Sequence, residues 1–338
     1  LQFSKPRIFP GLLYIKNIQA ITVQISKQAI EVAHKRIQKY IRKTPSIVSG
    51  NGTFGLKYSI SLKLEHLQHS GSFKARGAFN SLLNNSIPEA GIAAASGGNH
   101  GAAVACAAHA LGKKAKIFVP EISNPAKIDK IRSFGADVHV EGSAYADAAA
   151  LCTEYQKQTG AIDIHPFDAI DTINGQGTLA LEWAEQSPDL DTILVAVGGG
   201  GLAAGVASYY ANSPTKVIAI EPFGSCSMNA ALKAGEPVDV ELDSIAANAL
   251  GAKRCGTFPF EVARNHIAQS ILVEDDAILA AQRRLWREMQ LVVEPGGATA
   301  LAALISGAYK PEEGERIGVL LCGGNAELIQ VNNTLSGR

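Results

Sequence analysis

The chain has 338 residues, 46% of them hydrophobic, enough for a sizeable core and for two lobes. Lysine plus arginine equals aspartate plus glutamate at 31 each, so no strong field favours nucleic acid or an anionic membrane surface. Five scattered cysteines (Cys106, Cys152, Cys226, Cys255, Cys322) without a CxxC, and eight histidines without ligand spacing, argue against a disulfide framework or zinc site and for a reducing, cytoplasmic setting.

Residues 1–30 carry Lys5, Arg7, Lys16 and Lys27 and no acid. Arginine is scarce and no apolar stretch ends in a small-residue cleavage site, so an N-terminal extension is expected rather than a targeting peptide. A helical pattern at 26–42 precedes the first β-rich run, SLKLE at 61–65. Further runs stand at 92–95, 115–119, 136–140, 192–197, 216–221, 270–274 and 317–322. Helical patterns at 99–111, 125–134, 145–158, 172–185, 202–211 and 275–289 separate most of them. This alternation predicts an α/β fold with parallel-rich sheets and helices on both faces. Residues 193–211 are uncharged and approach membrane-span length. Four consecutive glycines lie inside them, each costing a helix about 1 kcal/mol against alanine, so strand, glycine turn and helix are expected and no membrane span.

Ligands in open α/β sheets collect at the carboxyl ends of strands, and four such ends here are unusual. After 61–65 comes SGSFKARGAFN (70–80), where Lys74 opens a helix among small and apolar residues. A cation there faces the positive end of the helix dipole, and Arg76 repeats the offence two residues on. A neighbouring cation, a helix N-terminus and partial burial would all favour the neutral amine, which condenses with aldehydes. After 92–95 comes ASGGNHGAAVA (95–105), where Ser96, Asn99 and free N–H groups make a carboxylate-sized cradle. After 192–197 comes AVGGGGLAAG (196–205), whose glycines let the backbone approach an anion without a basic side chain. Gly198, Gly200 and Ala203, with Glu221 at the end of the next strand, fit NAD binding almost as well as phosphate binding. After 317–322 comes LLCGGNAE (320–327), which puts the small thiol of Cys322 at the floor of the cleft.

In combination these motifs, with GQGTLALE (175–182) and VVEPGGATALAAL (292–304), are specific. From about residue 27 to about 330 the chain resembles the fold-type-II pyridoxal-phosphate enzymes of the threonine dehydratase, serine dehydratase and serine racemase group. The resemblance implies a two-lobed, tryptophan-synthase-β-like architecture, with a large cofactor domain (1–86 and 167–338) and a small mobile substrate-loop domain (87–166). It implies that Lys74 holds pyridoxal 5'-phosphate as a Schiff base, with Phe73 against the ring. Asn99 would bond the ring hydroxyl, and Gly198, Gly199, Gly200, Gly201 and Leu202 would hold the phosphate. Cys322 would face the pyridine nitrogen and Glu294 would stand nearby. Ser96, Gly97, Asn99 and His100 would receive the substrate carboxylate. An NAD site leaves Lys74, Asn99 and Cys322 unexplained.

The implied reaction is β-elimination from L-threonine, L-serine or a related 3-hydroxyamino acid, giving a 2-oxo acid and ammonia. Lys74 takes the Cα proton, and the cofactor stabilises the carbanion. A thiol at position 322 cannot keep the pyridine nitrogen protonated as an aspartate would, which favours prompt elimination. The nearest alternatives are a β-replacement synthase and a serine racemase; from another class, an NAD-dependent oxidoreductase. Racemases of the group carry a serine where this chain has Gly97, so the base for the far face of Cα is missing. Some relatives bind a divalent or monovalent cation through EP and following acids. EPFGSCS offers Glu221, then Ser225 and Ser227, so Glu221 and Ser225 are the positions to inspect and no metal is expected. SIAANALG (244–251) departs from the acid-Gly pair of relatives. A homodimer is expected, and the absence of sequence for a C-terminal regulatory domain suggests a catabolic role.

Overall fold

The structure is a computed structural model that describes residues 24–326 apart from Asn124. Most of the expected N-terminal extension lies outside the described residues. Helix α1 (Lys27–Ile37) is opened by Ser26, whose hydroxyl accepts from the Ala29 N–H at 3.3 Å. It stops short of residue 42 because the Gln68 carboxamide captures the Arg42 backbone, N–H at 2.9 Å and C=O at 2.8 Å. Then follow β1 (Ser46–Val48), β2 (Ile60–Leu64), α2 (Lys74–Asn84), β3 (Ile92–Ala95), α3 (Asn99–Ala110), β4 (Ala115–Val119) and α4 (Pro125–Ser133). The chain continues through β5 (Asp137–Val140), α5 (Tyr145–Thr159), β6 (Ile162–Asp163), α6 (Ile170–Gln186), β7 (Thr192–Ala196) and α7 (Gly201–Tyr210). It finishes with β8 (Lys216–Pro222), α8 (Ser227–Ala234), α9 (Ala247–Leu250), α10 (Thr257–His266), β9 (Gln269–Val273), α11 (Asp275–Met289), α12 (Pro295–Ile305) and β10 (Ile317–Leu321).

The strands form two sheets, one in the order β1-β2-β10-β7-β8-β9 and one in the order β5-β4-β3-β6. Every pairing is parallel except that of β1 with β2. The near-continuous apolar runs in β7, β8 and β10 reflect burial on both faces, as parallel sheets require; β2 is also buried on both faces but carries Ser61 and Lys63 between its apolar residues. Every residue of α12 from Gly296 to Leu304 is buried against this sheet. The smaller sheet and its helices span residues 92–163.

This topology gathers the unusual turns. Strands β2, β10 and β7 are adjacent and run the same way, with Leu64 opposite Leu321 and Val319 opposite Leu194. Their carboxyl ends therefore lead, on one edge, to Lys74, Cys322 and the four glycines. No helix of the described residues is long and apolar enough to cross a membrane.

Candidate active site

Two consecutive left-handed residues, Ser70 (φ 61°) and Gly71 (φ 78°), turn the chain between β2 and α2. A side chain at 71 would overlap Asn325, so only glycine fits. The turn is stitched to the end of β10. Phe73 N–H donates to Cys322 C=O at 3.1 Å, and Gly324 N–H to Gly71 C=O at 2.9 Å. Lys74 thus starts α2 directly beside Cys322. Its ammonium lies 5.2 Å from the centre of the Phe73 ring and donates to Pro166 C=O at 2.7 Å. Burial lowers its pKa to about 8, with Cys322 pulling weakly the other way.

Arg76 has no part in that shift, which corrects the expectation that it repels Lys74. Its guanidinium turns under the helix and pairs with two carboxylates: Glu65 at 2.7 and 2.8 Å, and Glu182 at 2.8 and 2.9 Å. Lys63 joins the cluster through Glu182 at 3.2 Å, Thr44 C=O at 2.9 Å and Gln186 Oε1 at 2.8 Å. Arg76, Lys63 and Glu65 are wholly buried.

Each glycine of the 198–201 loop has its own reason. Gly200 adopts φ +93°, which a side chain resists. A Cβ at Gly198 would lie 2.8 Å from Leu250 C=O, one at Gly201 2.8 Å from Phe167 C=O, and one at Gly199 inside the Phe167 ring. Among the described residues, the N–H groups of Gly198 through Ala203 donate to no acceptor; the first helical bond is Ala204 N–H to Gly200 C=O at 2.9 Å.

In the second cradle, Gly98 N–H donates to Ser96 Oγ at 3.3 Å. Asn99 donates through Nδ2 to Glu294 Oε1 at 2.5 Å and accepts at Oδ1 from Asn325 Nδ2 at 2.6 Å. His100 turns its ring inward, Nε2–H to Ile164 C=O at 2.6 Å. Burial, reinforced by Lys74, lowers the pKa of that imidazole to about 3, so it is neutral. The His100 backbone N–H lies in the first turn of α3, where helical N–H groups lack an intrahelical acceptor. A Cβ on Gly97 would lie 2.6 Å from Ser123 Oγ.

The Cys322 thiol donates to Gly296 C=O at 3.4 Å, and burial together with Glu294 pushes its pKa well up. Glu294 caps α12 and is buried; that burial raises its pKa, while Asn99, Lys127 and Lys130 favour the carboxylate. Gly323 leaves the room in which Glu294 and Asn99 meet. Around the 244–251 segment, a Cβ on Gly98 would lie 3.4 Å from Asn248 C=O.

Glu221 and Ser225 do not converge on a cation position. Both oxygens of buried Glu221 accept from the start of α8, Met228 N–H at 2.9 Å and Asn229 N–H at 2.8 Å, and burial raises its pKa to about 8. Ser225 Oγ donates to Leu250 C=O at 2.9 Å. Among the described residues no cluster of three or more His, Cys, Asp or Glu could hold a metal.

Pro166, Phe167, Lys130 and Asn325 belong to the site without standing out in the sequence. The first acts through a backbone carbonyl, which no side chain announces. Asn325 is visible as the last residue of LLCGGN but carries no role there.

The donor set fits pyridoxal phosphate. Six consecutive unpaired N–H groups suit a phosphate, and an amine of lowered basicity suits an aldehyde. Asn99 Nδ2 keeps one hydrogen for a ring hydroxyl, and the buried Ser72 Oγ has no partner among the described residues.

The family model described as "Pyridoxal-phosphate dependent enzyme" matches residues 37–323. Phenylserine dehydratase of Ralstonia pickettii is 35% identical over 303 residues, covering 88% of this chain and 93% of that protein. The solved structure of maize serine racemase superposes with a TM-score of 0.85 at 31% identity, covering 93% of this chain and 98% of the other. The solved structure of a T.th. threonine deaminase gives 0.84 at 36% identity, covering 90% and 99%.

Proposed function

The chain belongs to the pyridoxal-phosphate dependent enzyme family, and on that premise we propose that it is a dehydratase, an ammonia-lyase acting on a 3-hydroxyamino acid. The observation that carries the reading is the Lys74 amine, held by one backbone carbonyl and lowered to about 8, on the same sheet edge as the unpaired glycine-loop N–H groups. Bound there, pyridoxal phosphate supplies an electron sink for the pair left at Cα when its proton is removed.

The chain's own residues do the rest. The N–H groups from Gly198 to Leu202 bind the phosphate, and the Asn99 amide holds the ring hydroxyl. Phe73 and Cys322 bound the ring, and the backbone at Ser96–His100 receives the substrate carboxylate. The Lys74 amine, neutral in the reacting form, accepts the Cα proton, and the β-hydroxyl takes up one proton and departs as water, so that the substrate loses H2O overall. The released enamine takes up water and yields a 2-oxo acid and ammonia. The His100 ring, whose pKa burial lowers to about 3, is too weak a base to compete with Lys74 for that proton.

L-Threonine and L-serine are the substrates proposed first. The similarity to a phenylserine dehydratase puts an aromatic 3-hydroxyamino acid beside them. Racemisation is disfavoured by Gly97, where Ser123 already fills the space a serine would need. Residues 87–166 are proposed as the small domain that moves over the substrate, because α3 carries the carboxylate cradle and stands on the four-stranded sheet. A homodimer in the cytoplasm completes the proposal; five free cysteines support a reducing compartment.

The test is a coupled 2-oxo acid assay on serine, threonine, 3-hydroxyaspartate and phenylserine in both stereochemical series. Release of 2-oxo acid that disappears in Lys74→Ala supports the reading. Interconversion of enantiomers without 2-oxo acid, or consumption only when an external thiol is added, overturns it in favour of a racemase or a β-replacement synthase.

A further inference from the structure

Lys130 lies on α4, beside the four-stranded sheet, yet its ammonium reaches the segment after β10 and donates to Asn325 Oδ1. The contact is close enough to Gly71 that a Cβ there would stand 2.9 Å from Lys130 Nζ. An ammonium has donors only, so it fixes the sense of the Asn325 amide with the oxygen toward Lys130. Asn325 Nδ2 then spends both hydrogens, one on Ser70 C=O at 2.9 Å and one on Asn99 Oδ1 at 2.6 Å. With Oδ1 of Asn99 so engaged, its Nδ2 faces Glu294 Oε1 at 2.5 Å. Glu294 Oε1 accepts one of the Nδ2 hydrogens, so the chain Lys130–Asn325–Asn99–Glu294 has a donor at one end and an acceptor at the other. Neither amide can flip without setting a donor against a donor or an oxygen against an oxygen.

We propose that Lys130 is a positioning residue: through Asn325 it holds the Asn99 amide in the one orientation that offers a free N–H to the cofactor ring. The inference rests on the functional reading above, and it adds what that reading lacks. Asn99 has one Nδ2 hydrogen without an acceptor among the described residues, and the polarity of the chain decides that it is a hydrogen, not a lone pair, that meets the ring hydroxyl. A ring hydroxyl oxygen held there would act as the acceptor, which would favour a proton on the Lys74 nitrogen over one on that oxygen. Burial lowers the pKa of Lys130, while Glu294 and Cys106 favour its ammonium.

The experiment compares wild type, Lys130→Met and Lys130→Arg loaded with pyridoxal phosphate. Two readouts are taken: the ratio of long- to short-wavelength cofactor bands across pH, and the dissociation constant of the cofactor. Methionine keeps the length of the chain and removes the donor; arginine keeps the donor. Lys130→Met is expected to weaken cofactor binding about tenfold and to move the band ratio toward the short-wavelength form, with Lys130→Arg near wild type. Unchanged bands and affinity in Lys130→Met overturn the inference and leave the Lys74 reading intact. Equal losses in both variants also overturn it, assigning the effect to packing. A wild type that binds no cofactor through Lys74 removes both.

Discussion

Lys74 and Arg76 stand two residues apart on the first turn of α2, and the fold treats them in opposite ways. Arg76 is sealed in with Glu65 and Glu182, every carboxylate oxygen of the pair taken up. Lys74 has a single carbonyl, a lowered pKa, and a row of unpaired N–H groups across the cleft. A buried cation given counter-ions is held in its charged form and anchors the helix. A cation denied them is pushed toward the neutral form and becomes chemically available. The local sequence offers both cations alike; partners far along the chain decide which is paired with carboxylates and which is left with a lowered pKa.

The comparison breaks most sharply under substitution. Lys74→Ala is expected to lower turnover by at least about 10³-fold, while the apoprotein melts no earlier than wild type, because a poorly solvated amine has been removed. A melting temperature that falls with activity would make Lys74 structural after all. Arg76→Met inverts the pattern. It leaves Glu65 facing Glu182 with only Lys63 to compensate, and should cost about 3–5 kcal/mol of stability in urea unfolding. A loss below about 1 kcal/mol would mean that the cluster behaves like an exposed pair and does not anchor α2.

The pH dependence sharpens the same contrast. Lys74 is lowered in the folded state from 10.5 to about 8, so between those values the unfolded apoprotein binds the extra proton. Apoprotein stability contributed by this group should therefore rise with pH across that window, and the rise should be absent in Lys74→Ala. The rate of pyridoxal phosphate uptake should climb with pH up to about 8 and then flatten, since only the neutral amine attacks the aldehyde. Stopped-flow absorbance reads this directly. A rate that keeps climbing toward pH 10 would show an unperturbed lysine.

Much of this is legible in the sequence because it is local. The eight β-rich runs appear as strands within about a residue of their expected ends, since each is a short apolar or alternating run. The glycine turns and Lys74 are legible because strand ends concentrate ligands in parallel sheets. What escapes is non-local. Arg76 reads as a repelling cation from its neighbours alone because Glu65 and Glu182 lie 11 and 106 residues away. Pro166 acts through a carbonyl, and the Lys130–Asn325 contact joins positions 195 residues apart. Strand β1, three residues long and only half-buried, lacks the alternation that would mark it.

The smallest expected effect tests whether Lys74 handles the Cα proton alone. In the reading above, the far face of Cα lacks a proton-bearing group because position 97 is glycine. Gly97→Ser would supply a hydroxyl, but its Cβ would stand 2.6 Å from Ser123 Oγ and 3.1 Å from Ser123 Cβ. The obstacle is the end of a short side chain, and Gly97 does not adopt a left-handed backbone, so the cost should be about 1 kcal/mol. Adding Ser123→Gly should recover it. Elimination should survive in both variants, with slow enantiomer exchange emerging only in the double variant, where the new hydroxyl has room to turn toward the substrate. Chiral chromatography of recovered serine measures that exchange against 2-oxo acid release. If the double variant is fully active in elimination and still exchanges no enantiomer, the missing hydroxyl is not what separates this chain from a racemase. The restraint would then lie with Lys74, in how fast the β-hydroxyl leaves once the proton has been taken.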